Sequence, residues 1–397
     1  MLALATCCLM TLAMGTLHAW SVLSTDLEVT LGLSRAQSSL VYSLTLVTLT
    51  ATVLFAVPLF SRLKVWQLFA GSSLLAGIGL YTSSSGSLPL LFFGYSILFG
   101  IANGVGYGFA LQLSAKVFSH RSGFAMGITT AAYALGATLG AQLLGTLVES
   151  TGAIATLRLH GISFFLLAPI LALLIHKSKA SYNTKTKAPD ASGINGPLVN
   201  QYRLCYGLAV FAGLMAIAHA APYISSFETG SNADASPGNM AASFAIWGAI
   251  VLGIGNALGG VIAGFAADSY RPKSIIIVLP IVASIALAVA AFANSATLAL
   301  ASLVVIGFTY GALIAVYPVV IARHFEHSAL AYGRIFISWG IAGLLAPVAA
   351  GAIFDLSSSY QWSMLLAMCL SIASALLVSR LPPAPAALNP KLFSQRV

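Results

Sequence analysis

Charge is scarce in this chain. Asp, Glu, Lys and Arg make up only 7 % of its 397 residues, against about 25 % in an ordinary water-soluble domain. Acids are the scarcest: there are nine, and none stands near the middle of a long apolar stretch. That disfavours a proton relay built on carboxylates. It also leaves no His-Glu-x-x-His set or paired carboxylates for hydrolysis inside a membrane. The four cysteines, Cys7, Cys8, Cys205 and Cys369, lie inside apolar stretches. They lack the spacing of a metal site or a disulfide framework. The glycine-rich stretch from Gly248 to Gly264 is not followed by the Lys-Ser/Thr of a phosphate loop. The expectation is a chain with no catalytic residues, no cofactor and no metal.

Apolar residues fill the space that charge leaves. They make up 59 % of the chain and fall into twelve long stretches: 1–24, 36–60, 66–83, 88–112, 122–148, 159–176, 203–226, 241–266, 274–293, 297–321, 329–353 and 361–380. About 20 apolar residues carry a helix across a bilayer. These runs are too long for the alternating strands of a barrel. The 36 glycines suit close helix packing in lipid. The fold class predicted is an all-α membrane protein of twelve transmembrane helices. The first stretch lacks the basic start of a signal peptide and reads as the first span.

Basic residues set the expected topology. With both termini in the cytoplasm, all of the 18 Lys and Arg except Arg35 and Arg158 fall on the inner side. That is the positive-inside bias. The net charge of +9 then reflects attraction to anionic lipid headgroups rather than to nucleic acid, because the basic residues form no aromatic-interleaved surface. The localisation expected is a cell membrane, the bacterial inner membrane, with many crossings and a monomeric state.

The longest polar segment, 177–202, divides six stretches from six. It reads as a cytoplasmic linker between bundles at 1–176 and 203–380, with a cytoplasmic tail at 381–397. The halves echo each other. His18 answers His219, Gly104-Val-Gly-Tyr107-Gly108 answers Gly307-Phe-Thr-Tyr310-Gly311, and Phe118 answers Phe325, at nearly constant offset. Duplicated bundles predict alternating access, with a solute site near midplane between them.

With these residues in view, the chain resembles the major facilitator superfamily over all twelve stretches. One loop of that family resembles Gly264-Phe-Ala-Ala-Asp268-Ser-Tyr-Arg271-Pro-Lys273. A degraded first copy runs from Pro58 through Arg62 to Lys64, with Ser61 where an Asp is usual. The resemblance implies a conformational latch at Arg62, Gly264, Asp268 and Arg271, weaker in the first half. Within the superfamily the chain is most similar to the oxalate/formate antiporter and monocarboxylate transporter group. The likeness lies in Gly100-Ile-Ala-Asn-Gly104-Val-Gly-Tyr107, in Lys116 to Gly127, in Tyr332 to Pro347, and in His18-Ala-Trp20-Ser21-Val22. Relatives that carry carboxylates typically hold an Arg in the eighth helix, where this chain has Gly260. The absence of that clamp argues against dianions, whose two charges need compensation in low dielectric.

The residues expected to carry transport are polar groups inside the stretches. His18 and His219, at matching places in the two halves, are expected to face a central cavity. There they bind solute and couple its passage to a proton, since histidine titrates near working pH. Asn103, Tyr107, Tyr133, Asn256, Tyr310 and Tyr317 are candidate hydrogen-bonding contacts. Tyr223 joins the His219 face, and Trp20 and Trp339 are candidate aromatic walls. The competing reading for each is helix-to-helix bonding or, for Trp20, interfacial anchoring. Arg158 and His160 are expected at the outer mouth. The function predicted is secondary active transport of a small organic solute, a monocarboxylate, with proton coupling. The alternatives are efflux of amphipathic compounds and a membrane receptor or scaffold.

Overall fold

A computed structural model describes residues 1–118, 122–182, 196–227, 240–269, 272–325 and 328–382. The helices are α1 (Leu2–Gly15), α2 (Trp20–Leu31), α3 (Arg35–Phe55), α4 (Val57–Arg62), α5 (Val65–Ser83), α6 (Leu88–Leu91), α7 (Gly100–Val117), α8 (Ser122–Lys177), α9 (Pro197–Ser225), α10 (Met240–Ser269), α11 (Pro272–Ala291), α12 (Ala296–His324), α13 (Ser328–Ser357) and α14 (Gln361–Ser379). A 3-10 turn, Thr16–Ala19, joins α1 to α2, and a π-helical segment, Phe92–Phe99, joins α6 to α7.

Among the described residues, ten helical segments are long and apolar enough to cross a membrane. Helix α5 is not one of them, because Gln67, Ser72, Ser73, Thr82 and Ser83 dilute its apolar residues. Another, Phe124–Lys177, has 54 residues. At 1.5 Å per residue it would span about 80 Å if straight, far beyond a bilayer core of about 30 Å. It is not straight: Gly152 sits at φ 80° and ψ 162°, outside helical space. A methyl placed on Gly140 would lie 3.0 Å from Thr16, and His160 bonds the same Thr16. Residues twenty positions apart thus meet one side chain, so the helix folds back on itself at Gly152. Asp26 caps the second limb by accepting from the Ala153 amide at 2.8 Å.

Local chemistry places the other ends. Gly32 ends α2 in the left-handed region at φ 64°, a conformation glycine adopts without strain. Ser34 opens α3 with a capping box: it accepts from the Gln37 amide, and Gln37 accepts from the Ser34 amide. Helix α9 begins at Pro197, so the last residues of the expected 177–202 linker are helical. Part of that linker and most of the 381–397 tail lie outside the described residues.

Packing follows small residues. Helices α10 and α12 touch backbone to backbone: a methyl on Gly259 would collide with the Phe308 carbonyl, and one on Gly311 with the Asn256 carbonyl. Helix α9 is buried on nearly every face, which fits an element that is apolar all round. Exposed Leu166, Phe265, Ile285 and Leu376 on the periphery suit contact with lipid chains.

Candidate functional site

The chain's two halves meet along two seams, α3 against α13 and the first limb of α8 against α10. Both are tight at one end. A methyl on Gly351 would lie 2.8 Å from the Arg35 carbonyl, one on Gly343 3.0 Å from Leu46, and one on Gly340 3.0 Å from Thr50. Toward the other end, a methyl on Gly333 finds its nearest neighbour, Leu54, at 3.9 Å. The second seam behaves alike. Gly145 would meet Ile246 at 2.6 Å, whereas Gly127 and Gly264 face open space. The molecule is therefore closed at the Arg35 end and loosens toward the end that carries Lys116, Arg203 and Arg323.

Between these ends lies a small pocket lined from both halves. His18 and Ala137 come from the first; Ile217, Ala220, Ala249, Leu252, Gly253 and Asn256 come from the second. None of the lining residues is Lys, Arg, Asp or Glu. Its volume is about 10 Å³, room for one water, so a solute would fit only after the halves part. His18 Nδ1 is 2.6 Å from the Tyr42 hydroxyl. Among the described residues its Nε2 makes no hydrogen bond. The imidazole edge meets the Tyr133 ring at 5.4 Å, and Tyr133 packs on Tyr107 at 4.6 Å. The Trp339 indole donates to the Tyr310 hydroxyl at 2.9 Å, and the Tyr310 side chain lies against Gly213, one turn before the pocket residue Ile217. The structure thus gathers His18, Tyr107, Tyr133, Asn256, Tyr310 and Trp339 at the seam.

Other expected residues sit elsewhere. His219 does not face His18 across a cavity. Its Nε2–H donates to the Pro347 carbonyl at 2.9 Å, with the Ser39 hydroxyl oxygen at 3.3 Å. Its Nδ1 accepts from the Tyr360 hydroxyl at 3.2 Å. Both ring nitrogens are occupied because α9 turns this side chain toward α13 and the closed end. Tyr223 donates to the Ala290 carbonyl at 2.7 Å and packs beside Tyr360. Trp20 is neither a cavity wall nor an anchor at the lipid interface. It is 1 % exposed, against Tyr95, with its indole nitrogen unpartnered among the described residues. Tyr317 is fully buried on Tyr206 within the second half. Asn103 is fully buried and spends its amide on protein partners: it donates to the Met14 carbonyl at 2.7 Å and accepts from Tyr133 at 2.9 Å. His160 is buried beside Thr16 rather than at a mouth, because the fold-back at Gly152 brings it inward; Arg158 is exposed. Of the expected latch, Arg62 is exposed and Gly264 faces open space. Arg271 and the Asp268 side chain lie outside the described residues.

A polar lock at the closed end was not expected from the sequence. The Arg35 guanidinium pairs with Glu28 at 2.8 Å, donates to the Tyr360 hydroxyl at 2.7 Å and lies 4.5 Å over the Phe354 ring. Asp355 accepts from the Arg35 and Ala36 amides at 3.1 and 2.9 Å. These bonds satisfy the first two donors of α3 from the opposite half, while Ser34 satisfies the third. Tyr360 has its phenol pKa pushed up, chiefly by burial, so its hydroxyl stays available as a donor to His219. Arg35 was visible as one of two cations on the minority side, but its partners are scattered over more than 300 positions of sequence. Tyr42, the partner of His18, was missed because a tyrosine one span away has no pattern to mark it.

The Major Facilitator Superfamily model matches residues 2–254 and 204–396. The chain is 24 % identical over 355 residues to the uncharacterized MFS-type transporter YhjX of Escherichia coli (strain K12), covering 84 % of this chain and 83 % of that one. In fold it is similar to a point mutant of the nucleoside transporter NupG, with a TM-score of 0.78 and 14 % identity over 96 % of this chain and all of the other. It is also similar to a bacterial homolog of the human lysosomal transporter Spinster, solved inward-facing and unoccupied. There the TM-score is 0.68, with 16 % identity over 95 % of each chain. The chain belongs to the major facilitator superfamily, and it is a multi-span membrane transporter rather than an enzyme.

Proposed function

We propose that the chain crosses the membrane twelve times as two six-helix bundles, both termini in the cytoplasm, and carries a small monocarboxylate in symport with a proton. The observation that carries this reading is the shared pocket on the seam, where His18 of the first half and Asn256 of the second line one uncharged space. His18 lines it with Nδ1 braced by Tyr42 and, among the described residues, with Nε2 unbonded. A protonated imidazole donates from both nitrogens, so one proton with one carboxylate makes a neutral load. A dianion would leave a net charge in low dielectric. This agrees with the likeness to the oxalate/formate and monocarboxylate group and with Gly260 in place of an arginine.

The lock at Arg35 supports alternating access. It joins the halves at one end, and most basic residues outside it cluster at the other, which the positive-inside bias makes cytoplasmic. The described state is then inward-leaning and closed to the outside. His219 serves the lock rather than the load.

Purified protein in liposomes, with the outer medium acidified, tests the reading. Radiolabelled monocarboxylates of one to four carbons, nucleosides and amphipathic cations are offered in turn. Saturable uptake of a monocarboxylate that alkalinises the outer medium is the expected result. Saturable uptake of nucleosides alone, or export of amphipathic cations alone, contradicts it.

A further inference from the structure

The first crossing is not one helix. Between α1 and α2 the four residues Thr16–Ala19 wind as a 3-10 turn, and His18 is one of them. A break inside a membrane is stable only when the backbone groups it frees find other partners. Here the Thr16 amide still donates to the Ala13 and Met14 carbonyls, and three side-chain donors reinforce the turn. Thr16 Oγ1 donates to the Ala13 carbonyl at 2.7 Å. Asn103 Nδ2 donates to the Met14 carbonyl at 2.7 Å. The Tyr95 hydroxyl donates to the Leu17 carbonyl at 3.3 Å. The Thr16 proton is committed to Ala13, so the Thr16 oxygen accepts from His160 Nε2–H at 3.1 Å. Among the described residues His160 Nδ1 is buried with no hydrogen-bond partner, and the ring is wedged against Phe99 and Phe164. Behind the joint, α8 approaches so closely that a methyl on Gly136 would collide with the Leu12 carbonyl.

We infer that this 3-10 turn is a built joint that presents His18 to the seam, and that His160 is the positioning residue that holds it by donating to Thr16. The inference rests on the proposed role of His18. His160 does not line the pocket and does not touch a solute; it acts through the backbone that carries His18. The chemistry needed is one directed donor on a flat apolar body. A leucine supplies the body without the donor, and a glutamine supplies the donor from nearly the same point.

Diethyl pyrocarbonate, which acylates unbonded imidazole nitrogens, tests the joint without any solute. The full chain in liposomes is treated, and the modification rate of each histidine is read by peptide mass spectrometry. His160→Leu and Thr16→Val should each raise the His18 rate several-fold, because the loosened turn no longer holds the ring and its unbonded Nε2 inside the closed pocket. His176 and His324 should keep their wild-type rates, and His160→Gln should restore His18. Two variants guard against one failing to fold. An unchanged His18 rate in both overturns the inference. So does a parallel rise at all three histidines, which marks general loosening rather than a joint. Proton-driven monocarboxylate uptake by His18→Gln is measured alongside. If uptake survives that change, the proposed role of His18 fails, while the rates still decide whether the joint exists.

Discussion

Replacing Asp355 by alanine should open the molecule at its Arg35 end. In the closed state the carboxylate caps α3 across the seam, taking the amides of Arg35 and Ala36 at 3.1 and 2.9 Å. An N-terminal cap contributes about 1 kcal/mol, and a carboxylate at a helix N-terminus adds about 0.3–1 kcal/mol through the helix dipole. Both bonds are exposed to solvent, so the total is about 1–2 kcal/mol and no more. Asp355 lies on α13 and its partners on α3, so the whole contribution belongs to the closed state. Its loss should lower the closed-to-open ratio by a factor of about 5–30. Ser34 and Gln37 still cap α3 from within, so the helix itself should persist. The assay is a spin-label distance measurement in liposomes between Val29 and Leu356, which are 82 % and 91 % exposed. Both are changed to cysteine after the four native cysteines are replaced by serine. Asp355→Ala should add a longer-distance population, and Asp355→Asn, which keeps an acceptor without charge, should fall between. An unchanged distribution in a folded Asp355→Ala protein would refute the reasoning that this cap holds the seam.

Other outcomes follow from the same geometry. Asn103→Ala should cost about 1–3 kcal/mol of stability, because it removes a buried donor to the Met14 carbonyl and the acceptor of the Tyr133 hydroxyl; thermal unfolding in detergent measures it. Asn256→Ala should leave unfolding unchanged and instead raise the KM of uptake, as befits a side chain that faces the pocket. Gly259→Val should lower the unfolding temperature most, since the new side chain meets the Phe308 carbonyl and overpacking of this kind costs about 1–3 kcal/mol or more. His219→Gln should weaken closure in the spin-label assay yet keep proton-driven uptake, which separates it from His18.

The apolar stretches were legible as helix because lipid leaves little choice. Each apolar stretch falls on helix, and the boundaries differ by a few residues where polar caps such as Ser34 and Ser295 extend an end. The break at Thr16–Ala19 was not legible. No proline or charge marks it, and its cause is distributed over Asn103, Tyr95 and His160 on three other elements. The paired-histidine expectation failed in part for a geometric reason. Matching positions in the two halves need not face alike, and α9 aims His219 at Pro347 and Tyr360 while the 3-10 turn aims His18 at the seam. The residues of the lock carried a sign in sequence but not a partner. Glu28, Arg35, Asp355 and Tyr360 meet only once both halves are assembled.

The most direct test of the account is proton stoichiometry measured with a controlled membrane potential. Liposomes holding the wild-type chain are given a pH gradient, and the potential is then set by potassium and valinomycin. If one proton travels with one carboxylate through His18, the initial uptake rate should follow the pH gradient, ignore the potential, and collapse in His18→Gln. Uptake that tracks the potential, or that keeps its proton drive without His18, would contradict the account.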